Sequence, residues 1–459
     1  MTWNRRLFLK SVASAGLGAT LDTTFGNIAA AAPWPAGTSP YGELALATPV
    51  NGGQAVLALP PGFSYRTLSM EGRLMSDGIR TPSSADGMAA FQVGGFIRLL
   101  RNHEIAIPLP AIGGSVDAYD AAGGGAVTTI IVDPVTRAPV RDFLTLSGTS
   151  ANCSGGRTPW NSWISCEESL DGPEVGFQRA HGYCFEVPAD AERPVAAIPL
   201  KAMGRFRHEA VAIDPGSAIA YMTEDQSAAG FYRYVPTEPI RFAVAGRLQM
   251  LAVAGIPQFD TFRGQRVGDT LPVAWVDIPE PDPVGQGSRR VYEQGSAAGG
   301  ARFRRLEGAV WGNGSVYFSA TTGGDAGLGQ IWRYTPEPLF SLFRGRRRSV
   351  RQARLRADGE LTLLFESRDA GVLKAPDNVC VSPRGSLLIC EDATVGAQYI
   401  RVLSPSGELF DLVRNAFPGL EHSELAGVTF SPDGETLFFN IYGVSMTIAV
   451  WGPWRNGPL

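Results

Sequence analysis

A chain of 459 residues, 44% hydrophobic and 18% charged, is long enough to bury a sizeable core, and its net charge of -4 excludes nucleic acid as an expected partner. With 55 Gly and 33 Pro, turns are frequent and long helices few, which points to an all-β fold.

The first element stands outside that fold. "MTWNRRLFLKSVASAGLGATL" places Arg5 and Arg6 before a Leu-Phe-Leu-Lys run and a weakly apolar stretch, the pattern of a twin-arginine export signal. Small residues from Ala29 to Ala32 offer a cleavage site, so residues 1–32 read as the signal and 33–459 as one domain. The expected partner is the twin-arginine export machinery, and the expected location is periplasmic or extracellular. No later apolar run reaches membrane-spanning length, so no stable membrane anchor is expected after cleavage.

Along the chain one plan then recurs: an acid, an apolar strand, a Gly or Pro turn, and a second apolar strand with a polar or acidic end. The strand "GGFIRLLRNHE" (94–104) shows only the second half. The full plan follows in "NCSGGRTPWNSWISCEE" (152–168), "HEAVAIDPGSAIAYMTED" (208–225), "LEGAVWGNGSVYFSATTGGD" (306–325), "PDNVCVSPRGSLLICED" (376–392) and "SELAGVTFSPDGETLFFN" (423–440). Asp-Pro-Gly, Gly-Asn-Gly, Pro-Arg-Gly and Pro-Asp-Gly supply the hairpin turns. Short strands closed by Pro, such as "GFYRYVP" (230–236) and "QIWRYTP" (330–336), suit outer edges. Exits at Glu104, Glu168, Asp225, Asp325, Asp392 and Asn440 predict a six-bladed β-propeller, with a β-sandwich of similar hairpins as the plainer alternative. Segments 255–300 and 338–360, the latter strongly basic, break the rhythm and read as inserted loops or an outer helix.

In a propeller, equivalent strand ends meet around the axis. Here those ends include Glu104, Glu167, Glu209, Glu224, Glu307, Asp377, Glu391 and Glu424. So many converging carboxylates cannot all stay ionised unless cations compensate them. Hard oxygen donors suit Ca²⁺, and Cys166 among them admits a transition metal. Side-chain alternation puts Cys166 and Glu168 on one strand face and Glu167 on the other, unless a bulge lets Cys166 and Glu167 serve together. The five cysteines (153, 166, 184, 380, 390) are odd in number, so at least one has no partner within the chain. The four histidines form no zinc pattern: His103 and His208 read as supporting or core residues, and His181 and His422 show no partner pattern. No Gly-x-Ser-x-Gly, phosphate-binding glycine loop or Cys-x-x-Cys is present. Arg305, two before Glu307, is the candidate for gripping an anion; the alternative is a surface arginine beside Arg302 and Arg304.

The blocks "RNHE" (101–104), "GTSANCSGGRTPWNSWISCEE" (148–168), "GRFRHEAVAIDP" (204–215), "YMTED" (221–225), "RLEG" (305–308), "APDN" (375–378) and "FSPDGETLFFNI" (430–441) together resemble the PhoX-type alkaline phosphatases, from about residue 90 to the C-terminus. The resemblance implies a six-bladed propeller, a mixed Fe³⁺–Ca²⁺ cluster and phosphomonoester substrates. Carried over by residue, it implies Cys166 as an iron-bound thiolate and Glu209, Glu307 and Asp377 as carboxylate ligands. Asn102, Glu104, Glu167 and Glu424 would be further ligands, and Arg305 would bind the phosphoryl group. The last repeat departs from the family at "NIYGVSMT", and lysine is confined to 201 and 374 in the mature chain. Two rival functions remain open at this level: a calcium-dependent propeller hydrolase of lactones or esters, and a non-catalytic, metal-stabilised binding module.

Overall fold

The computed structural model describes residues 39–285, 287–337 and 358–459. The export signal and most of the basic segment 338–360 lie outside them.

Three short strands, β1 (Ala45–Ala47), β2 (Leu57–Leu59) and β3 (Ser64–Ser69), come first. Antiparallel runs then succeed one another along the chain. β4 (Ala85–Val93), β5 (Phe96–His103), β6 (Gly125–Val132) and β7 (Pro139–Thr149) form one sheet, and β8 (Asn152–Arg157), β9 (Ser162–Glu167) and β10 (Cys184–Pro188) the next. β11 (His208–Ile213), β12 (Ala220–Glu224), β13 (Phe231–Pro236) and β14 (Gly246–Val253) are followed by β15 (Thr270–Asp277) and a short helix, α1 (Val291–Ala297). β16 (Leu306–Gly312), β17 (Ser315–Ala320), β18 (Gln330–Pro336) and β19 (Gly359–Glu366) follow; β15 pairs with β14 and β19, joining both runs into a nine-stranded sheet. β20 (Pro376–Val381), β21 (Leu387–Glu391), β22 (Tyr399–Leu403) and β23 (Leu409–Asn415) take β2 and β1 at their outer edge. β24 (Leu425–Phe430), β25 (Leu437–Ile441) and β26 (Met446–Trp451) are completed by β3 from the other end of the chain.

The arrangement is all-β and propeller-like. The first strand of each run packs against the first strand of the next, in the order β4, β8, β11, β16, β20, β24 and back to β4. Apolar clusters fill the space between neighbouring runs: Leu388, Val402, Leu437 and Phe439 meet in one, Phe231, Phe318, Trp332 and Tyr334 in another. At the ring the backbones approach closely, and glycine is required. A Cβ on Gly156 would lie 1.8 Å from the Val211 carbonyl of the next first strand, and one on Gly427 would lie 2.4 Å from that of Asp86.

Two expectations are corrected. The unit at 94–104 does have a preceding half, β4, which the acid-led pattern missed because it opens on Ala-Asp-Gly after Ser-Ser. Segment 255–300, expected as inserted loops or an outer helix, does carry a short helix, α1, against β14, but it also contributes β15 to the sheet. Among the described residues no helix is long and apolar enough to cross a membrane.

Candidate metal centre

Each first strand departs from regular pairing at its start. The register shifts between Ala85 and Met88, Asn152 and Gly155, His208 and Val211, Leu306 and Ala309, Pro376 and Val379, and Ala426 and Thr429. A bulge re-aims the side chains it contains. In five strands the first unpaired residue carries chemistry: Asp86, Cys153, Glu209, Glu307 and Asp377. The sixth lacks an acid there, and Glu424 stands just ahead of β24 instead. Two positions before four of these residues the backbone is left-handed, at Ser84 (φ 54°), Ala151 (φ 47°), Arg305 (φ 45°) and Ala375 (φ 42°). Such geometry costs a non-glycine residue roughly 1–2 kcal/mol, and here it is concentrated where the chain turns into the ring.

The second strands add acids just beyond their ends: Glu104 after β5, Glu168 after β9, Asp225 after β12 and Asp392 after β21. The result is a continuous arc. Ligand-type atoms lie within 4.8 Å of one another in the groups Asp86–Glu104–Cys153, Cys153–Glu168–Glu209, Glu209–Glu307–Asp377 and Asp377–Asp392–Glu424. Cys153, Glu209 and Asp377 each belong to two groups and link them.

Electrostatics show what the arc lacks. Burial, reinforced by neighbouring carboxylates, pushes Asp86, Glu168, Glu209, Glu307 and Glu424 well above the usual carboxylate range. Burial likewise raises Glu104 to about 7 and Asp377 to about 6. The Cys153 thiol is pushed up by burial and then by Asp86, whose Oδ2 accepts its hydrogen bond at 3.5 Å. Both oxygens of Glu209, with Asp86 Oδ1 and Glu424 Oε1, are buried without a hydrogen-bond partner. Unpartnered buried carboxylate oxygens are destabilising unless something positive meets them. Oxygen donors in this number suit Ca²⁺, and the one thiol among them admits a borderline or softer ion such as iron.

These shifts set a pH dependence. A carboxyl whose folded pKa is raised binds its proton more tightly in the native state, so ion-free stability falls as pH rises through about 6–7. Cations held there would displace those protons, so stabilisation by added Ca²⁺ is expected to grow over the same interval. Melting temperatures with chelator and with Ca²⁺, compared at pH 5 and pH 8, check both signs; an ion-free protein more stable at pH 8 would contradict the arc.

The structure brings together Glu104, Glu209, Glu307, Asp377 and Glu424 from the sequence-derived set. It places the three other carboxylates elsewhere. Glu167 accepts hydrogen bonds from Ser150 N (2.9 Å), His181 Nδ1 (2.6 Å), Gly182 N (2.8 Å) and Tyr183 N (3.1 Å), which leaves it no role in the arc. Glu224 and Glu391 behave alike, held by Tyr232 Oη at 2.7 Å and by Arg401 Nε at 2.9 Å respectively. Strand alternation is the reason: of each acidic pair the first member faces into its own sheet and the second turns to the arc. Asn102 donates to the carbonyls of Cys153 (3.1 Å) and Ser154 (2.7 Å) and accepts from Trp163 Nε1 (2.8 Å) and Ser165 Oγ (2.9 Å). It therefore pins the bulge that presents Cys153. Cys166 groups with Cys184 and His208, and Cys153 is the cysteine that groups with the acids. Asp325 caps Gly264 N at 3.0 Å and belongs to none of the four groups. Asp86, Cys153, Glu168 and Asp392 lie outside that set; the strand starts that carry the first two, Ala-Asp-Gly and Asn-Cys-Ser, have too few side chains in common with Leu-Glu-Gly and Pro-Asp-Asn to be picked out by composition.

Arg305 lies at the edge of the arc, its side chain 39% exposed. Nε and Nη2 donate to Asp225 at 2.9 Å each, and Nη2 also reaches Glu307 Oε1 at 2.8 Å. Its neighbours differ: Arg302 faces Asp260 at 3.6 Å and Arg304 stacks on Phe262 at 3.5 Å. Tyr442, in the departing segment of the last repeat, donates its hydroxyl to Glu104 Oε2 at 2.8 Å.

Solved structures similar to this chain share little sequence with it. A gluconolactonase candidate from a structural-genomics programme is 12% identical, with 89% of this chain and 97% of that chain covered and a TM-score of 0.38. A protein of unknown function from Bacteroides thetaiotaomicron is 11% identical, with 85% and 76% covered and a TM-score of 0.44. The PQQ domain of a pyranose dehydrogenase from Coprinopsis cinerea is 10% identical, with 88% and 100% covered and a TM-score of 0.30. No curated protein matches the chain. Residues 41–444, nearly the whole chain, match the family described as Alkaline phosphatase PhoX, and the chain belongs to that family.

Proposed function

We propose that this chain is an exported, metal-dependent phosphatase that hydrolyses phosphomonoesters at the acid arc, and that its successive antiparallel runs are the six blades of a propeller. The carrying observation is Glu209, whose two buried carboxylate oxygens stand unpartnered between the two central groups of the arc. Membership of the family implies alkaline phosphatase activity, and the donor set of carboxylates with one thiol fits Fe³⁺ and Ca²⁺. Cys153, Glu209, Glu307 and Asp377 would hold iron, and Asp86, Glu104, Glu168, Asp392 and Glu424 the harder calcium.

Bound cations would supply charge neutralisation of the phosphate oxygens and activation of the attacking oxygen. The chain's own residues do the positioning. Arg305, braced on Asp225 and Glu307, presents a guanidinium fixed in plane at the edge of the arc, where it can meet a phosphoryl oxygen. The bulges hold the carboxylates at fixed directions, so little reorganisation accompanies charge development. The twin arginines Arg5 and Arg6 carry the export proposal.

A chromogenic phosphate ester, a lactone and a carboxylic ester, assayed on protein of measured iron and calcium content, test the reading. Phosphate-ester hydrolysis abolished by chelator is expected; a fully metallated protein inert to the phosphate ester would overturn it. The thiol assignment has its own test. Cys153→Ser should lower bound iron far more than bound calcium, because a serine hydroxyl is a poorer ligand for iron while calcium prefers oxygen donors anyway. Cys166→Ser should leave iron content unchanged, and elemental analysis of both variants decides.

A further inference from the structure

We propose that Cys166, Cys184 and His208 form a second metal site, separate from the acid arc, for a single thiophilic d¹⁰ ion, Zn²⁺ or Cu⁺. Cys166 on β9 and Cys184 on β10 are direct cross-strand partners. Glu167 N–H donates to the Tyr183 carbonyl at 3.0 Å, which makes the cysteines a non-hydrogen-bonded pair, the kind whose side chains stand closest. Their sulfurs are 3.6 Å apart. His208 opens β11 beside them. Its Nε2 is 2.9 Å from the Gly204 carbonyl, which can only accept, so the proton sits on Nε2. Nδ1 then turns its lone pair to Cys184 Sγ, 3.3 Å away. A metal-binding histidine is held in this way, its second ring N–H given to a carbonyl.

The spacing fits an ion better than a bond. Two thiolates on a tetrahedral Zn²⁺ lie about 3.8 Å apart, and a thiolate and an imidazole nitrogen about 3.6 Å apart, from Zn–S near 2.3 Å and Zn–N near 2.05 Å. The observed separations, 3.6 and 3.3 Å, need only small adjustments, and all three donor atoms lie within 4.8 Å of one another. A disulfide requires sulfurs about 2.05 Å apart. All three residues have no exposed surface, and Met203, Phe206, Met222 and Met250 belong to the apolar cluster around them. Two thiolates neutralise Zn²⁺, so the loaded site suits an apolar core, and the soft donors discriminate against Ca²⁺. Since His208 directly precedes Glu209, the ion would also anchor the strand that presents the central carboxylate of the arc.

The test uses the full chain expressed with Zn²⁺ or with copper supplied, in a Cys153→Ser background that removes the thiol of the arc. One equivalent of Zn²⁺ or Cu⁺ retained in that background, and lost on adding Cys184→Ser, is the expected result, the two supplies telling which ion is taken. With Cd²⁺ as probe, thiolate-to-metal charge-transfer absorption should appear in the background variant and vanish in the double variant. The unsubstituted protein gives an independent reading that no folding defect can obscure. An intact mass two hydrogens light, with Cys166 and Cys184 resistant to alkylation after unfolding, would overturn the site in favour of a disulfide. So would all five thiols alkylating after unfolding with no thiolate-bound ion present. Neither result bears on phosphatase activity at the arc, which is assayed separately.

Discussion

Glu209→Gln should remove most of the bound metal and reduce phosphate-ester hydrolysis by about 10³-fold or more, the scale of losing a principal electrostatic element of an active site. Glu209 belongs to both central groups of the arc, so its loss breaks the link between the Cys153 and Asp377 sides. The same change should act oppositely on the ion-free fold. Neighbouring carboxylates raise one another, with Asp377 foremost among the charges acting on Glu209. Taking one away lets the rest ionise more easily. At pH 8 the ion-free variant should therefore gain about 1–3 kcal/mol, the range for relieving an uncompensated buried polar group. That gain should shrink by pH 5, where the acids with raised pKa values are protonated in either form. Elemental analysis, phosphatase kinetics and chelated melting curves at both pH values check the three parts. Wild-type metal content and rate in the variant would remove Glu209 from the centre.

Arg305→Lys should keep the metals and lose on the order of 10²-fold in kcat/KM, equivalent to about 2.7 kcal/mol of transition-state stabilisation. Lysine retains the charge but not the planar fork. In this fold the fork has a second duty, since Nε and Nη2 tie Asp225 to Glu307. A lysine can reach one of those carboxylates but cannot span both while facing a phosphoryl group. The loss should therefore appear in kcat as well as KM. With metal content matched, equal kcat/KM values for both proteins would make Arg305 an ordinary rim residue like Arg302.

The repeat plan was legible because it is written in short-range chemistry. Turns of Pro-Asp-Gly and Gly-Asn-Gly type separate apolar runs with acids at their boundaries, so Glu104, Glu209, Glu307, Asp377 and Glu424 could be named from order and composition alone. They do converge. Which member of an adjacent pair turns inward was not legible in the same way. Glu167 and Glu168 differ by one position, and a one-residue difference reverses the face. Only the paired strands show that Glu167 faces His181 and the backbone at 182–183, while Glu168 joins Cys153 and Glu209.

The cysteines show the same division. Cys-Glu-Glu invites Cys166 into the acid set because it sits beside acids in sequence. In space Cys166 is locked opposite Cys184 by strand register, whereas Cys153 is carried into the arc by a bulge that Asn102 holds through the Cys153 and Ser154 carbonyls. A bulge has no fixed residue signature: Ala-Asp-Gly, Asn-Cys-Ser and Leu-Glu-Gly share it with few side chains in common. The all-β class, the repeated hairpins, the family and the carboxylates at strand boundaries are readable from residue order, because periodicity and turn chemistry act over a few residues. That Asp86, Cys153, Glu168 and Asp392 complete the arc and that Cys166 leaves it emerges only in the folded chain. Those outcomes depend on register, bulge position and close packing between first strands dozens of residues apart in the chain.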